Sequence, residues 1–516
     1  MRANTQINAR RRLSKSYAPF QYGMRGADFS SGANYQSNLS QDSGVLEKVK
    51  QNTPFVDASD FSAIQYIGEF ITSTGEKQAL YFGLIDAELK LRAVEEDGTI
   101  LTPTGGLGDF VFSGLITTRQ VGTDVIIGYD GGNKLWDGEA ITANGDEEVI
   151  SQARDGGRVG YINTDGKAKF TDNTPTSGFT GGTGANANGD YNCGIPIATA
   201  IVEGGTGVII LGERNAEAHW VQPNNASDEV SSRTKIESFS YLGEGVTSER
   251  FVCSTGETLG LLNKSGVHEM DSYSGRTTNL IIGGKIERYW KERVDMTNGF
   301  IFYDRTNDWL IAQVALDSPQ NNVFLAFNRK EKGMPPFIIP EQYLSHAGVV
   351  GEDIIGALNA GGETFKLLDS YSIPDGTTSK SRYITEFDGL GTMQEDKNLL
   401  SVTAITDVNP DAILKMKVYF DNETVPSLEK TISIKDLTVP DGNAAYGEYV
   451  FAVGASDLVK EKVVRGEKVK AGMRFKTIAV ELWEESSDNF KVYDILLAYK
   501  ATGRLSQTMS LKNNLF

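Results

Sequence analysis

Cysteine, histidine and proline are scarce in this chain of 516 residues, and each shortage closes off a class of protein. The two cysteines, Cys193 and Cys253, cannot build a disulfide framework, and neither has a second Cys or a His at metal-ligand spacing. Two reduced thiols are the expected state, with a single Cys193–Cys253 bond as the alternative. The three histidines, His219, His268 and His346, lie far apart and form no H-x-x-H pair, which argues against a zinc site and against His-based acid–base chemistry. No run of 18 apolar residues occurs, so membrane insertion is not expected. The N-terminal segment shows no apolar stretch followed by a small-residue cleavage site, and the expected place of synthesis is a cytoplasm. Walker A, G-x-S-x-G and calcium-loop spacings are missing. Gly182-Thr-Gly-Ala-Asn-Ala187 fits G-x-G-x-x-A on paper, yet its flanks are Asn, Thr and Gly, without the strand and helix that a dinucleotide site needs. The expectation is no cofactor, no metal and no catalytic residue.

Glycine is abundant instead, 56 residues against 14 prolines, and it punctuates short apolar runs from about residue 63 onward. One unit recurs: an apolar run, a turn of Gly, Asn or Asp, and a second run carrying an aromatic or large apolar residue. It reads DVIIGYDGGNKLW at 124–136, GVIILGERNAEAHW at 207–220 and TLGLLNKSGVHEM at 258–270. It returns at 299–311, 322–333 and 353–368. A lone hairpin cannot bury its apolar face, so several must stack, and their spacing brackets that of propeller blades. The predicted fold class is therefore all-β: an irregular β-propeller of antiparallel hairpin blades, with a pair of packed sheets as the alternative. One short helix is expected at 284–294, where Ile286 and Trp290 lie one turn apart.

Beyond about residue 376 the pattern changes to clean alternation, as in Leu414-Lys-Met-Lys-Val-Tyr-Phe420, which predicts an additional β-sandwich-like C-terminal domain. The expected organisation is an arm and lead-in at 1–62, a propeller at 63–375, a sandwich at 376–504 and a polar tail at 505–516. The Gly/Asn stretch 170–195 reads as a long exposed loop, or as one that becomes ordered against a neighbouring subunit. Asp130–Trp136 departs from the Asp-box turn S-x-D-x-G-x-T-W of sialidase-type propellers, since the serine is missing and the Trp lies one place too far. The acid pairs Glu147/Glu148 and Glu484/Glu485 are expected on solvated faces, and Phe300, Phe302, Tyr303 and Trp309 are expected to pack a core rather than stack bases.

Charge is unevenly spread. Six of the 50 basic residues fall in 1–26, where no acid occurs, so the rest carries 44 against 68 acids. Arg10, Arg11, Arg12 and Lys15 of this arm are the candidate assembly residues, docking on an acidic neighbour through charge-assisted hydrogen bonds, with a disordered basic tail or contact with nucleic acid as the alternatives.

The order of segments then resembles a known family. A basic arm leads into acidic β-hairpins containing Val208–Trp220, Ser240–Ser248 and Gly256–Val267, followed by 284–294, the pair at Phe300–Ile311 and a terminal β domain. This is similar to the tail nozzle (tail tubular or DNA-stabilisation) β-propeller proteins of podoviruses, over roughly residues 60–340. The resemblance implies a structural virion protein of the tail, not an enzyme, assembled in the host cytoplasm. It further implies a ring homo-oligomer of six copies below portal and adaptor, in contact with the tail adaptor and other tail proteins. Genomic DNA would be held there and pass through without sequence-specific binding. A glycan-binding or glycosidase propeller, and a different tail or head-completion adaptor, are the competing expectations.

Overall fold

The computed structural model describes residues 45–370 apart from breaks at 156–157, 172–174, 177–196, 205–206, 213–217, 224–229, 236–244, 275, 281–289, 291 and 331–335, together with 12–16, 36–37, 39–42, 379–385, 387–390, 395–407, 413–423, 425–433, 449–450, 462–468, 474–486 and 491–505. The chain divides into two compact units, Asn52–Asp369 and a second one formed by Met1–Gln51 with Ser370–Phe516.

Seven small antiparallel sheets follow one another along the first unit. Blade 1 comprises Ala63–Ile71, Lys77–Ile85, Glu88–Glu95 and Ile100–Leu101; blade 2 comprises Thr117–Val121, Asp124–Tyr129, Gly132–Trp136 and Ile141–Gly145. Blade 3 has three strands, Ser151–Asp155, Arg158–Ile162 and Ala168–Phe170, and blade 4 has Ala198–Glu203, Val208–Gly212, Ala218–Pro223 and Val230–Lys235. Blade 5 is Val252–Ser254, Thr258–Asn263, Gly266–Asp271 and Thr277–Asn279, and blade 6 runs from Val294–Asp304 through Trp309–Leu316 and Val323–Asn328 to Phe337–Pro340. Blade 7 takes Leu344–Val350, Asp353–Leu358 and Glu363–Ser370, and its outer strand is Gln51–Asp57.

The first strand of each blade packs on the first strand of the next, and that of blade 7 packs on that of blade 1. The circuit is closed. The fold is a β-propeller, and its middle strands explain the sequence pattern: Asp124–Tyr129, Val208–Gly212 and Trp309–Leu316 are buried almost throughout because a neighbouring blade covers each face. Sheets covered on both faces read as continuous apolar runs rather than alternation. Trp136, Trp309, Phe300 and Phe302 are all core residues. Glycine also works outside the turns. A Cβ on Gly348 would stand 2.4 Å from the carbonyl oxygen of Ile67, so only glycine lets the inner strand of blade 7 meet that of blade 1 this closely.

Closure is made by the segment read from sequence as lead-in. Ala58 N–H donates to Gly362 O at 3.0 Å, and the Thr364 hydroxyl donates to Val56 O at 2.8 Å while accepting from Val56 N–H at 3.3 Å. The predicted helix 284–294 and loop 170–195 lie mostly outside the described residues; Trp290, Glu292 and Arg293 are helical, and Trp290 is buried.

The second unit is a sandwich. One sheet orders Leu39–Asp42, Val45–Lys48, Lys491–Leu505, Glu395–Asp407, Lys462–Lys468 and Tyr449–Val450, with Arg12–Ser16 also paired to Lys491–Leu505. The other orders Gln36–Ser37, Ser379–Ile384, Ile478–Ser486, Ile413–Phe420 and Leu428–Ser433. Their inner faces share one core, with Met416, Val418, Val480 and Leu482 from one sheet against Val402, Val492, Ile495 and Leu497 from the other. The alternation in 414–420 thus sends Met416, Val418 and Phe420 inward, leaving Lys415 and Lys417 over the ring of Trp483 at 5.5 and 5.6 Å.

One sequence expectation is corrected here. Glu484 is not solvated: it is 2% exposed and its carboxylate lies 3.4 Å from the equally buried Lys48 ammonium, an ion pair joining the two sheets. Glu147 likewise pairs, with Lys169 at 2.9 Å, whereas Glu148 is exposed.

Candidate functional site

The arm residues singled out from the sequence do not form the most developed site. Arg10 and Arg11 lie outside the described residues; Arg12 opens a strand in register with Lys500. Lys15 is exposed and its ammonium sits 3.6 Å from Asp388 of the same chain.

The concentration of buried polar groups lies at the propeller axis. A cavity of about 620 Å³ is ringed by the inner strands of blades 1, 2, 6 and 7 and by the segments leading into blades 3 and 5. The chain enters blade 5 through a single 3-10 turn, Glu249–Phe251, whose Ser248 hydroxyl accepts the Arg250 N–H at 3.3 Å. That turn sets Glu249 and Arg250 side by side in the cavity wall.

Glu249 is half-buried and accepts the Thr117 hydroxyl at 2.9 and 3.2 Å. Burial raises its carboxyl above the ordinary range, against the pull of the Arg119 charge and of the Thr117 hydroxyl. Nearby, the Tyr66 hydroxyl lies 3.1 Å from the Thr118 hydroxyl and also accepts the Thr118 N–H at 3.3 Å. Burial, seconded by the Glu249 charge, pushes this phenol up to about 12.

Across the cavity, His346 on the inner strand of blade 7 accepts the Ile67 N–H through Nδ1 at 3.2 Å. Its ring packs 4.9 Å from Tyr66 and 5.7 Å from Phe300. Burial, then the charge of Arg250, holds this imidazole well below its usual pKa, so it is neutral at pH 7. The Arg250 guanidinium lies 6.0 Å from the Phe300 ring centre and donates through Nη2 to Ser345 O. Burial lowers its pKa. Its Nε has no hydrogen-bond partner, and no acid lies in ion-pair contact with it among the described residues.

Such a constellation can accept, donate and present one positive charge. Cys253 carries a free thiol whose pKa burial pushes up to about 12, which keeps it protonated. Among the described residues, no group of three or more His, Cys, Asp or Glu side chains could hold a metal ion. Sequence reasoning missed the pocket because its members come from different blades and share no spacing.

No protein-family model matches the sequence, and no curated protein matches it. Solved structures do. The computationally designed Ika8 protein aligns over 62% of this chain and 99% of its own, at 10% identity and a TM-score of 0.35. YCF48 bound to D1 peptide aligns over 62% and 96%, at 12% identity and 0.39. The Dos1 propeller aligns over 66% and 84%, at 10% identity and 0.33.

Proposed function

We propose that the chain is a structural subunit of a short-tailed bacteriophage tail, a nozzle protein that encircles the path of the packaged genome. The observation that carries this reading is the closure of the propeller. Its last blade is completed by residues 51–57, and the chain on either side of the unit continues into one sandwich. A subunit loaded by DNA under pressure needs a ring that does not open at a seam, and a seam locked by a strand from the far end of the sequence meets that need. Segment order along residues 60–340 supports the same reading, as does the acidic body. Carboxylates facing a channel repel phosphates within a Debye length of about 8 Å, where a basic wall would bind them.

In this reading six copies form a ring that contacts the tail adaptor and its neighbours, with Arg10, Arg11, Arg12 and Lys15 bearing on an acidic partner. DNA passes without sequence-specific binding. Electron microscopy of the purified full chain, alone and with its adaptor ring, tests the proposal. Rings with a central hole, and immunogold label at the virion tail, are expected. A persistent monomer that hydrolyses a polysaccharide, with turnover lost on substituting one acid, would overturn it in favour of the glycosidase alternative.

A further inference from the structure

The seam between blades 7 and 1 is closed twice. The inner closure joins their first strands directly: the Ser345 hydroxyl donates to Ile64 O at 2.7 Å, Ile67 N–H donates to His346 Nδ1 at 3.2 Å, and Gly351 N–H donates to Glu69 Oε1 at 2.5 Å. The outer closure is the strand Gln51–Asp57, laid beside Glu363–Ser370. Every residue of that strand is half-buried or exposed, whereas the outer strands of blades 2, 3 and 6 bury Ile141, Phe170 and Phe337. Beneath it runs a cavity of about 290 Å³ walled by Phe55, Ala79, Val94, Val350 and Ile355, so its apolar face has fewer atoms to touch than a packed strand has.

Side chains do much of the fastening. The Thr364 hydroxyl serves both the N–H and the carbonyl of Val56, Asn52 Oδ1 accepts Leu368 N–H at 3.2 Å, and the Thr53 hydroxyl donates to Asp369 Oδ2 at 2.7 Å. Pro54 brings no N–H to the pairing. Opposite Asn52, Leu368 is held at a φ of 54°, a left-handed backbone that is strained for leucine. Only the C-terminal end is anchored deeply. Ala58 is buried, its N–H donates to Gly362 O at 3.0 Å, and a Cβ on Gly362 would stand 1.8 Å from Ala58 O. We infer that Gln51–Asp57 is a releasable strap, which lifts off blade 7 as one piece and pivots at Ala58 while the inner closure keeps the propeller shut. A local opening costs only the contacts that it breaks, and release here also lets Leu368 relax. The chain reaches the strap from the sandwich unit, so a pull on the residues before Gln51 is delivered to the strap first. The device goes beyond the nozzle reading, which needs only that the ring stay shut.

The test is hydrogen exchange of the full chain at pH 7 through a low urea series, read by mass spectrometry with residue-resolving fragmentation. Two amides report the strap, because each is bonded across the seam: Val56 to Thr364, and Leu368 to Asn52. Both should show a common protection, roughly a hundredfold or more below that of Ala58 and of Trp309–Leu316, and one that low urea does not change. Thr53→Val removes the bond to Asp369 and touches neither reporter. It should speed both by about fivefold and leave Ala58 unmoved. Reporters as protected as Ala58, or as sensitive to urea as Trp309–Leu316, overturn the strap. So does protection that rises steadily from Leu368 to Val56, which is fraying from the free end, and so do reporters that Thr53→Val leaves unchanged. Should Thr53→Val not yield folded protein, the protections in the unmutated chain decide.

Discussion

Replacing Lys48 by methionine tests the energetics of the sandwich most directly. The Lys48 side chain is fully buried and that of Glu484 is 3% exposed, so neither charge is relieved by water. At their separation of 3.4 Å the mutual attraction is about 5 kcal/mol for an effective dielectric constant of about 20. Much of that offsets the cost of taking both charges out of water, which is why the pair adds little net stability over apolar residues of the same shape. Removing one partner is different. Methionine fills the lysine stem, but the Glu484 carboxylate keeps its desolvation cost and loses the Lys48 charge, and the expected destabilisation is about 3–5 kcal/mol. Against a typical total of about 5–15 kcal/mol, that loss is large. Adding Glu484→Leu should restore most of it. Because two units unfold in one chain, the assay is hydrogen exchange of the sandwich strands Glu395–Asp407 and Lys491–Leu505 along a urea series, not a whole-chain signal. A single mutant that loses less than about 1 kcal/mol, or a double mutant as unstable as the single, would refute the reasoning.

Three further outcomes are expected. Gly348→Val drives a side chain against Ile67 O, a backbone atom that cannot yield unless blades 7 and 1 part, and should cost about 2–3 kcal/mol in a urea titration; an unchanged midpoint would contradict the close approach. Burial holds His268 down to about 4 in the folded state, below the unfolded value of about 6.5, so the unfolded chain binds more protons in between. The stability from its neutral form is complete above about pH 6.5 and is lost as pH falls toward 4, at about 1.4 kcal/mol per unit. His268→Gln should therefore lose about 2 kcal/mol less than the unmutated chain between pH 7.5 and 5, and identical slopes would exclude the effect. In a Cys193→Ser background, Cys253 should react with a thiol reagent at pH 8 about a thousandfold more slowly in the native than in the unfolded protein, since its thiolate is suppressed; comparable rates would show that burial does not control it.

The sequence showed several blades through a pair of neighbouring apolar runs with Gly, Asn or Asp between them. The unit at 124–136 is the middle pair of blade 2, 207–220 that of blade 4 and 258–270 that of blade 5, while 299–311 is the first pair of blade 6. The middle turn of blade 1, Asp86–Ala87, carries no such signal, since it reaches positive φ at 52° and 65° without a glycine. Tertiary packing carries the strain that a glycine would have announced. The closing strand was illegible for another reason: Val56 finds its partner at Thr364, and pairing over such a separation leaves no local trace in composition or period. Glu484 read as solvated because an acid beside an acid on a strand is usually so, and only the fold brings Lys48 to it.

The axial pocket lay hidden by the same geometry that makes it. In a propeller the inner strands and entry segments of different blades line one cavity, so Tyr66, the neighbours Glu249 and Arg250, and His346 are separated by whole blades instead of by the three or four residues of a helical motif. The residue-level trace is a polar side chain set among apolar neighbours on the first strand of a hairpin unit, as Tyr66 is between Ile64 and Ile67 and His346 is between Leu344 and Ala347. A solvated face cannot account for such a residue, since the strand next to it is covered by the adjoining blade. It meets a group of the adjoining blade instead, as Tyr66 meets Thr118 and His346 meets the Ile67 N–H, whatever their distance in sequence.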